Sequence, residues 1–308
     1  MAGRLTALVM LALFIALGQG SRHAFGEAIK TNTTRSPILA GTWYPADPKE
    51  LKGVVKGYLS KARASAIGAK LLAIIVPHAG YRYSGQVAAH AYSLLLSRQY
   101  ERIILLGPSH RLAFKGISVN LQAGYETPLG VVPVDRRMAE ELIKKTPQAG
   151  WNPRAHAREH SLEIQLPFLQ MVASGFRIVP ILMGDRDYDT CQDLARAIAG
   201  LLGKTTKTLL VASSDLSHFH SYDTAVELDR EFMAYVSRLD APGLYRALSR
   251  GECEACGSSP VLTALLVAKH LGADHARILR YANSGDVTGQ RSRVVGYVSA
   301  AIFGPRTR

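Results

Sequence analysis

"LLAIIVPHAGYRYSGQVAAHAY", residues 71–92, carries the pattern of a buried strand followed by a helix. Its first six residues are a continuous Ile/Val/Leu-rich run, the pattern of a strand buried on both faces. The run breaks at Pro77-His78-Ala79-Gly80, and a helical pattern of small residues follows. A buried strand that turns through a polar loop into a helix is the repeating step of an α/β sheet. The loop sets His78 at the strand's carboxyl end, where open α/β sheets gather their ligands.

Working outward, the same ending recurs twice. "RIILLGPSHR" presents His110, and "TLLVASSDLSHFH" presents Asp215, His218 and His220. Strands are expected at 71–76, 102–106, 116–119, 177–183, 208–212, 276–281 and 294–303. Helical patterns fall at 48–64, 84–97, 136–145, 161–172, 189–202, 225–239, 241–250 and 259–271. Alternation of this kind predicts an α/β fold, one domain over residues 37–308, with a largely parallel central sheet flanked by helices. No Pro/Gly/Ser-rich linker divides that region.

The chain has 308 residues, 47% of them hydrophobic and 20% charged, as in an ordinary globular protein. Residues 1–20 stand apart: a basic start, the apolar run "LTALVMLALFIAL" and the small residues "GQGS" read as a signal peptide cut near Gly20–Ser21. That predicts an exported protein, periplasmic or secreted, with an uncleaved membrane anchor as the alternative. Residues 21–36 read as a polar, flexible leader. The formal charge of +13 is scattered, and no DNA-reading motif accompanies it. A solvated basic surface is expected, with no nucleic-acid partner.

Histidine-bearing turns at three strand ends point to a shared site; neutral imidazole is a common ligand for zinc, iron and copper, and two histidines from adjacent strand ends supply two ligands. A third donor is available in Cys256, which precedes the helix pattern "SSPVLTALLVAKHL", where a helix amino end favours thiolate. Cys253 completes a C-x-x-C as a helper, a disulfide partner or a bystander, and Cys191 reads as packing. In "AREHSLEIQLPFLQ", His160 and Glu163 share a face if the segment is helical, which gives His160 either a supporting or substrate-contact role or a plain place at a helix start. Asp215 beside His218 forms a carboxylate–imidazole pair suited to general-base work. Ser213 and Ser214 sit too close to these partners for a hydrolase triad, and no G-x-S-x-G elbow is present. His23, His90, His156, His270 and His275 have no supporting context.

The ordered motifs "AGTWYPADPKEL", "VPHAGYRYSG", "GPSH", "EHSLEIQLPFL", "SSDLSHF" and "CGSSPVLTAL" resemble the Memo family, whose bacterial members are called AmmeMemoRadiSam system protein B. The resemblance implies a fold similar to the LigB-like class III extradiol dioxygenases, which cleave catechol rings with non-haem Fe(II). By motif it implies His78, His110 and Cys256 as metal ligands, and His218 with Asp215 as the acid/base pair. It also implies Trp43, Tyr81 and Tyr83 as pocket walls. Fe(II) is the ion it favours, and copper or zinc suit the same donors. It further implies a pathway shared with a radical-SAM enzyme and an AMMECR-type protein. Two readings of the cleft follow: an oxidoreductase acting on a small molecule, or a peptide-binding signalling module.

Overall fold

The computed structural model describes residues 32–62, 69–203 and 207–306. Its strands are β1 (Thr34–Arg35), β2 (Ala69–Val76), β3 (Arg102–Pro108), β4 (Ile117–Val119), β5 (Gly124–Thr127), β6 (Gly130–Pro133), β7 (Ala149–Gly150), β8 (Arg177–Met183), β9 (Thr208–Ser213), β10 (His218–His220), β11 (His275–Asn283) and β12 (Val294–Arg306). The helices are α1 (Pro48–Lys61), α2 (Tyr81–Tyr92), α3 (Arg136–Lys145), α4 (Pro153–Ala157), α5 (Leu166–Val172), α6 (Tyr188–Leu202), α7 (Tyr222–Ser237), α8 (Ala241–Arg250), α9 (Ser258–His270) and α10 (Ser284–Thr288). Among the described residues, no helix is long and apolar enough to cross a membrane.

A nine-stranded sheet runs in the order β10-β12-β2-β9-β3-β8-β4-β7, with β11 paired to β12. The central four strands, β2-β9-β3-β8, are parallel. The flanking pairs β12–β2, β11–β12 and β4–β8 are antiparallel, so a parallel centre sits in a sheet that is mixed rather than purely parallel. The reason at β11–β12 is the connection 284–293: a parallel return needs a crossover of a dozen residues or more, usually a helix laid over the sheet.

The apolar runs are buried on both faces because the pleat alternates them between two cores. Leu72, Ile75, Ile104, Leu106, Leu210 and Ala212 face the layer built from α3, α6, α7, α8 and α9. Leu71, Ile74, Val76, Ile103, Leu105, Leu209 and Val211 face the layer of α1, α2 and α5. Cys191 lies inside the first layer, as expected of a packing residue.

A small second sheet, β1-β5-β6, corrects the expectation of a flexible leader reaching residue 36. Thr34 and Arg35 pair with Gly124 and Tyr125, and Arg35 is 3% exposed. A charged side chain is buried there because Glu163 neutralises it at 2.6 Å. The signal-like segment 1–20 and residues 21–31 lie outside the described residues.

Gly257 caps α9 with its backbone laid on the loop after β9, and a Cβ there would overlap the Ser213 carbonyl and the Ser214 backbone. Overpacking against backbone forces a shift, so Gly257→Ala is expected to destabilise the protein by about 1–3 kcal/mol. Urea unfolding measures it, and an unchanged midpoint would contradict this account of the contact.

Candidate metal centre

Because β9 lies between β2 and β3, the loops leaving all three open side by side. His78, His110 and Asp215 each sit just past the end of their strand, and the fold brings them together. The His78 and His110 ring centroids are 5.0 Å apart. His160, from the turn between α4 and α5, completes the group at 5.4 Å from His78 and 4.4 Å from His110. One donor atom from each of these three histidines lies within 4.8 Å of the others, so the group can hold a metal ion.

Hydrogen bonds fix which ring nitrogen is free. Ser213 Oγ donates to the Ser161 carbonyl at 2.7 Å and accepts from Gln165 Nε2 at 2.9 Å. Its single proton is therefore spent, and the 2.9 Å contact with His78 Nδ1 requires that nitrogen to carry the hydrogen. His78 Nε2 keeps its lone pair. At His110, Nδ1 lies 3.0 Å from Glu159 Oε1, while Glu159 Oε2 accepts the His110 backbone N–H at 2.6 Å. A carboxylate behind an imidazole leaves Nε2 as the basic atom, the usual support of a metal-binding histidine. Burial raises the Glu159 carboxyl, but its hydrogen bonds and the neighbouring imidazoles outweigh that and hold it well below the ordinary carboxylate range.

Two of these imidazoles, His78 and His160, are kept neutral, the state that binds metals. Burial pushes His78 well below the ordinary imidazole value, with His110 and His160 adding to it. Burial likewise lowers His160 to about 4. His160 Nδ1 is buried with no well-aligned hydrogen bond, its nearest polar neighbour being Glu159 Oε1 at 3.3 Å.

Cys256 Sγ lies 3.0 Å from His78 Nε2. Sulfur and nitrogen bound to one ion, with bonds of about 2.3 and 2.1 Å, stand about 3.1–3.6 Å apart at angles from square to tetrahedral. At 3.0 Å the pair stands just short of that spacing, with the protonated Cys256 thiol placed to donate to the Nε2 lone pair that an ion would take. His110 and His160, by contrast, stack with planes only 26° apart, so their in-plane lone pairs run alongside each other rather than converging. The expectation that the α9 amino end favours thiolate at Cys256 is corrected: burial and then the Asp215 charge push the thiol up, beyond what the Gly257 and Ser214 groups recover. A metal cation is what would deprotonate it. Cys191, Cys253 and Cys256 are all free thiols. Burial pushes Cys253 up to about 12.

Asp215 is not the orienting partner of His218. Its Oδ1 accepts the His78 backbone N–H at 2.7 Å, which fixes the His78 loop, while His218 Nδ1 pairs with the Leu216 carbonyl at 2.7 Å. Burial raises the Asp215 carboxyl to about 6. Nor does Tyr81 wall the pocket. It begins α2 with its ring against Tyr44 and Phe168, and its hydroxyl donates to the Ile164 carbonyl at 2.9 Å.

Trp43, Tyr83 and His160 do wall a cleft of about 590 Å³ that also holds His78, His110, Asp215 and His218. Arg82 and Tyr297, which sequence reasoning missed, line it too. Glu159 was also missed. Its signal was its place directly before His160, but Glu163 drew the attention, and Glu163 is Arg35's buried partner instead.

His156 is a core histidine held between Tyr125 Oη at 2.9 Å and the Ser118 carbonyl at 3.1 Å. Burial lowers it to about 3, against about 6.5 in an unfolded chain. Between those values the unfolded chain binds the proton and the folded one does not, so stability falls as pH drops below about 6.5. From pH 7 to pH 4.5 the wild type is expected to lose about 3 kcal/mol more than His156→Gln, whose position no longer titrates. Urea unfolding at both pH values checks this, and equal losses would contradict it.

Comparison with known proteins bears on most of the described region. A solved structure of an uncharacterized protein from Escherichia coli K12 covers 76% of this chain and 100% of its own, with a TM-score of 0.49 and 14% identity. A MEMO1 family protein of Methanothermobacter thermautotrophicus is 36% identical over 271 residues, 85% of this chain and 98% of its own length. Another, from Methanosarcina barkeri, is 38% identical over 274 residues, 87% of this chain and 99% of its own. A third, from Sulfolobus acidocaldarius, is 38% identical over 283 residues, with 86% and 98% covered. The model of the Memo-like protein family matches residues 35–301. With strand-end histidines, cleft and chain-long similarity in agreement, the chain belongs to the Memo family.

Proposed function

We propose that the protein is a non-haem iron oxidoreductase in which His78, His110 and Cys256 hold Fe(II). The observation that carries this reading is the 3.0 Å approach of Cys256 Sγ to His78 Nε2, the nitrogen whose lone pair the Ser213 hydroxyl keeps free. Iron is named on the resemblance to the extradiol dioxygenases, and the same donors accept copper or zinc. Bound there, Fe(II) would supply redox chemistry with O₂ at positions the protein leaves open.

The chain's own residues do the rest. Glu159 and Ser213 hold the two imidazoles in the ligating tautomer. His160, stacked on His110 and tilted against Trp43 at 4.8 Å, walls the substrate side. His218 donates from Nδ1 to the Leu216 carbonyl, which leaves Nε2 as the atom that takes and returns a proton. The substrate is a small molecule lying between Trp43, Tyr83 and Tyr297.

Purified anaerobically and analysed for iron, copper and zinc together, the protein is expected to carry near-stoichiometric iron. His110→Ala should lose the metal and any O₂-dependent turnover together. Iron retained by that variant would remove His110 from the ligand set, and zinc alone in the wild type would overturn the redox assignment.

A further inference from the structure

The candidate metal donors are divided between two clefts. A second cleft, of about 520 Å³, shares only His110 and His218 with the aromatic one. His78 and His160 line the aromatic cleft, whereas Cys256 and Cys253 line the second. Half-buried Cys256 is therefore reached by solvent from the second cleft.

The charges of this second cleft are unevenly paired. Its carboxylate, Glu254, is held by His220, with both oxygens 3.0 Å from Nε2. Its cation, exposed Arg186, takes part in no ion pair among the described residues. The adjacent Asp185 makes no ion pair with it; that carboxylate turns instead to the backbone N–H groups of Gly116 at 2.7 Å and Asp187 at 3.2 Å. The Asp185 carbonyl accepts the Ser259 hydroxyl at 2.8 Å, which ties the Arg186 turn to the first turn of α9, next to Cys256. A free guanidinium presents a planar fork matched to a carboxylate, and the amino end of the thirteen-residue α9 adds partial positive charge.

We propose that this second cleft binds a small carboxylate-bearing molecule, held by Arg186 and presented to Cys256 from the face that the aromatic cleft does not reach. The site would give the protein a second ligand, separate from whatever lies between Trp43 and Tyr83. Arg186, which would hold the carboxylate, is not a metal donor, although the cleft shares His110 and Cys256 with the proposed ligand set.

The test compares alkylation of Cys256 by iodoacetate and by iodoacetamide, mapped by mass spectrometry on the full chain after chelation and again in urea. Normalised to the unfolded chain, the folded protein is expected to favour iodoacetate about tenfold, the size of one charge-assisted hydrogen bond. Arg186→Gln should remove the preference and leave the iodoacetamide rate unchanged. Arg82→Gln, in the aromatic cleft, should leave the preference intact. A ratio equal to that of the unfolded chain, or one that survives Arg186→Gln, would overturn the proposal. So would an equal loss in Arg82→Gln, which would trace the effect to overall charge, or the absence of Cys256 labelling by either reagent. Metal content, measured on the same preparations, reports separately on the iron assignment.

Discussion

Arg35→Gln is expected to destabilise the protein by about 3–5 kcal/mol, the cost of leaving one partner of a buried ion pair uncompensated. Arg35 and Glu163 are almost wholly buried, at 4% and 0% side-chain exposure, and meet at 2.6 Å. Neither is replaceable by water. Glu163 also accepts the backbone N–H groups of Ile38 and Leu39, each at 2.9 Å from Oε1, and the Tyr44 hydroxyl at 2.7 Å. Arg35 in turn donates from Nε to the His156 carbonyl and from Nη2 to the Glu159 carbonyl, both at 2.7 Å. The pair thus clamps the first described segment onto the 156–163 turn that carries Glu159 and His160. Urea unfolding of the variant measures the loss. The double variant Arg35→Leu/Glu163→Leu should be less destabilised than the two single changes added together, because it leaves no stranded charge. A loss under about 1 kcal/mol for Arg35→Gln would place the pair among exposed, screened ones.

The second large effect separates two ways of building the metal centre. Apparent affinities of structural zinc sites, roughly 10–16 kcal/mol over four ligands, assign each ligand about a hundredfold or more. Cys256→Ser is therefore expected to weaken metal binding by about a hundredfold or more, whereas His160→Ala should cost less than about tenfold. The distinction rests on geometry. Sγ stands 3.0 Å from the His78 lone pair, but the His160 ring stacks on His110 instead of converging with it. Chelator competition with Fe(II) on both variants decides between them. The reverse order of effects would make the centre a three-imidazole site and Cys256 its neighbour.

Much of the fold was legible because the central strands are continuous Ile/Val/Leu runs with helices between them. Stretches such as 71–76, 177–183 and 208–212 carry enough apolar residues to announce burial on both faces. The short strands were not legible. β1, β7 and β10 span two or three residues each, and their pairing is decided by partners far along the chain. The antiparallel β11–β12 pair was also hidden, since strand direction is not written in an apolar run.

The site divides in the same way. His78 and His110 stood out because each ends a buried strand, and β9 lying between β2 and β3 brings them together. Glu159 stands beside His160 in the sequence, but no local spacing links it to His110, 49 positions away in the chain. His160 was paired with Glu163 on the premise of a continuous helix, but α5 begins only at Leu166, after a 3₁₀ turn over Glu163–Gln165. His160 is thereby released toward the metal group and Glu163 turns toward Arg35. Tyr81 and Tyr83 looked equivalent in "GYRYSG", yet on a helix two residues apart is close to opposite faces, which sends Tyr81 to the core and Tyr83 to the cleft.

X-ray absorption at the iron edge of the Fe(II)-loaded protein reads the donor set itself. One sulfur scatterer at about 2.3 Å with nitrogen neighbours near 2.1 Å is expected, and the sulfur shell should be lost in Cys256→Ser. A shell of nitrogen and oxygen alone in the wild type would contradict the Cys256 assignment.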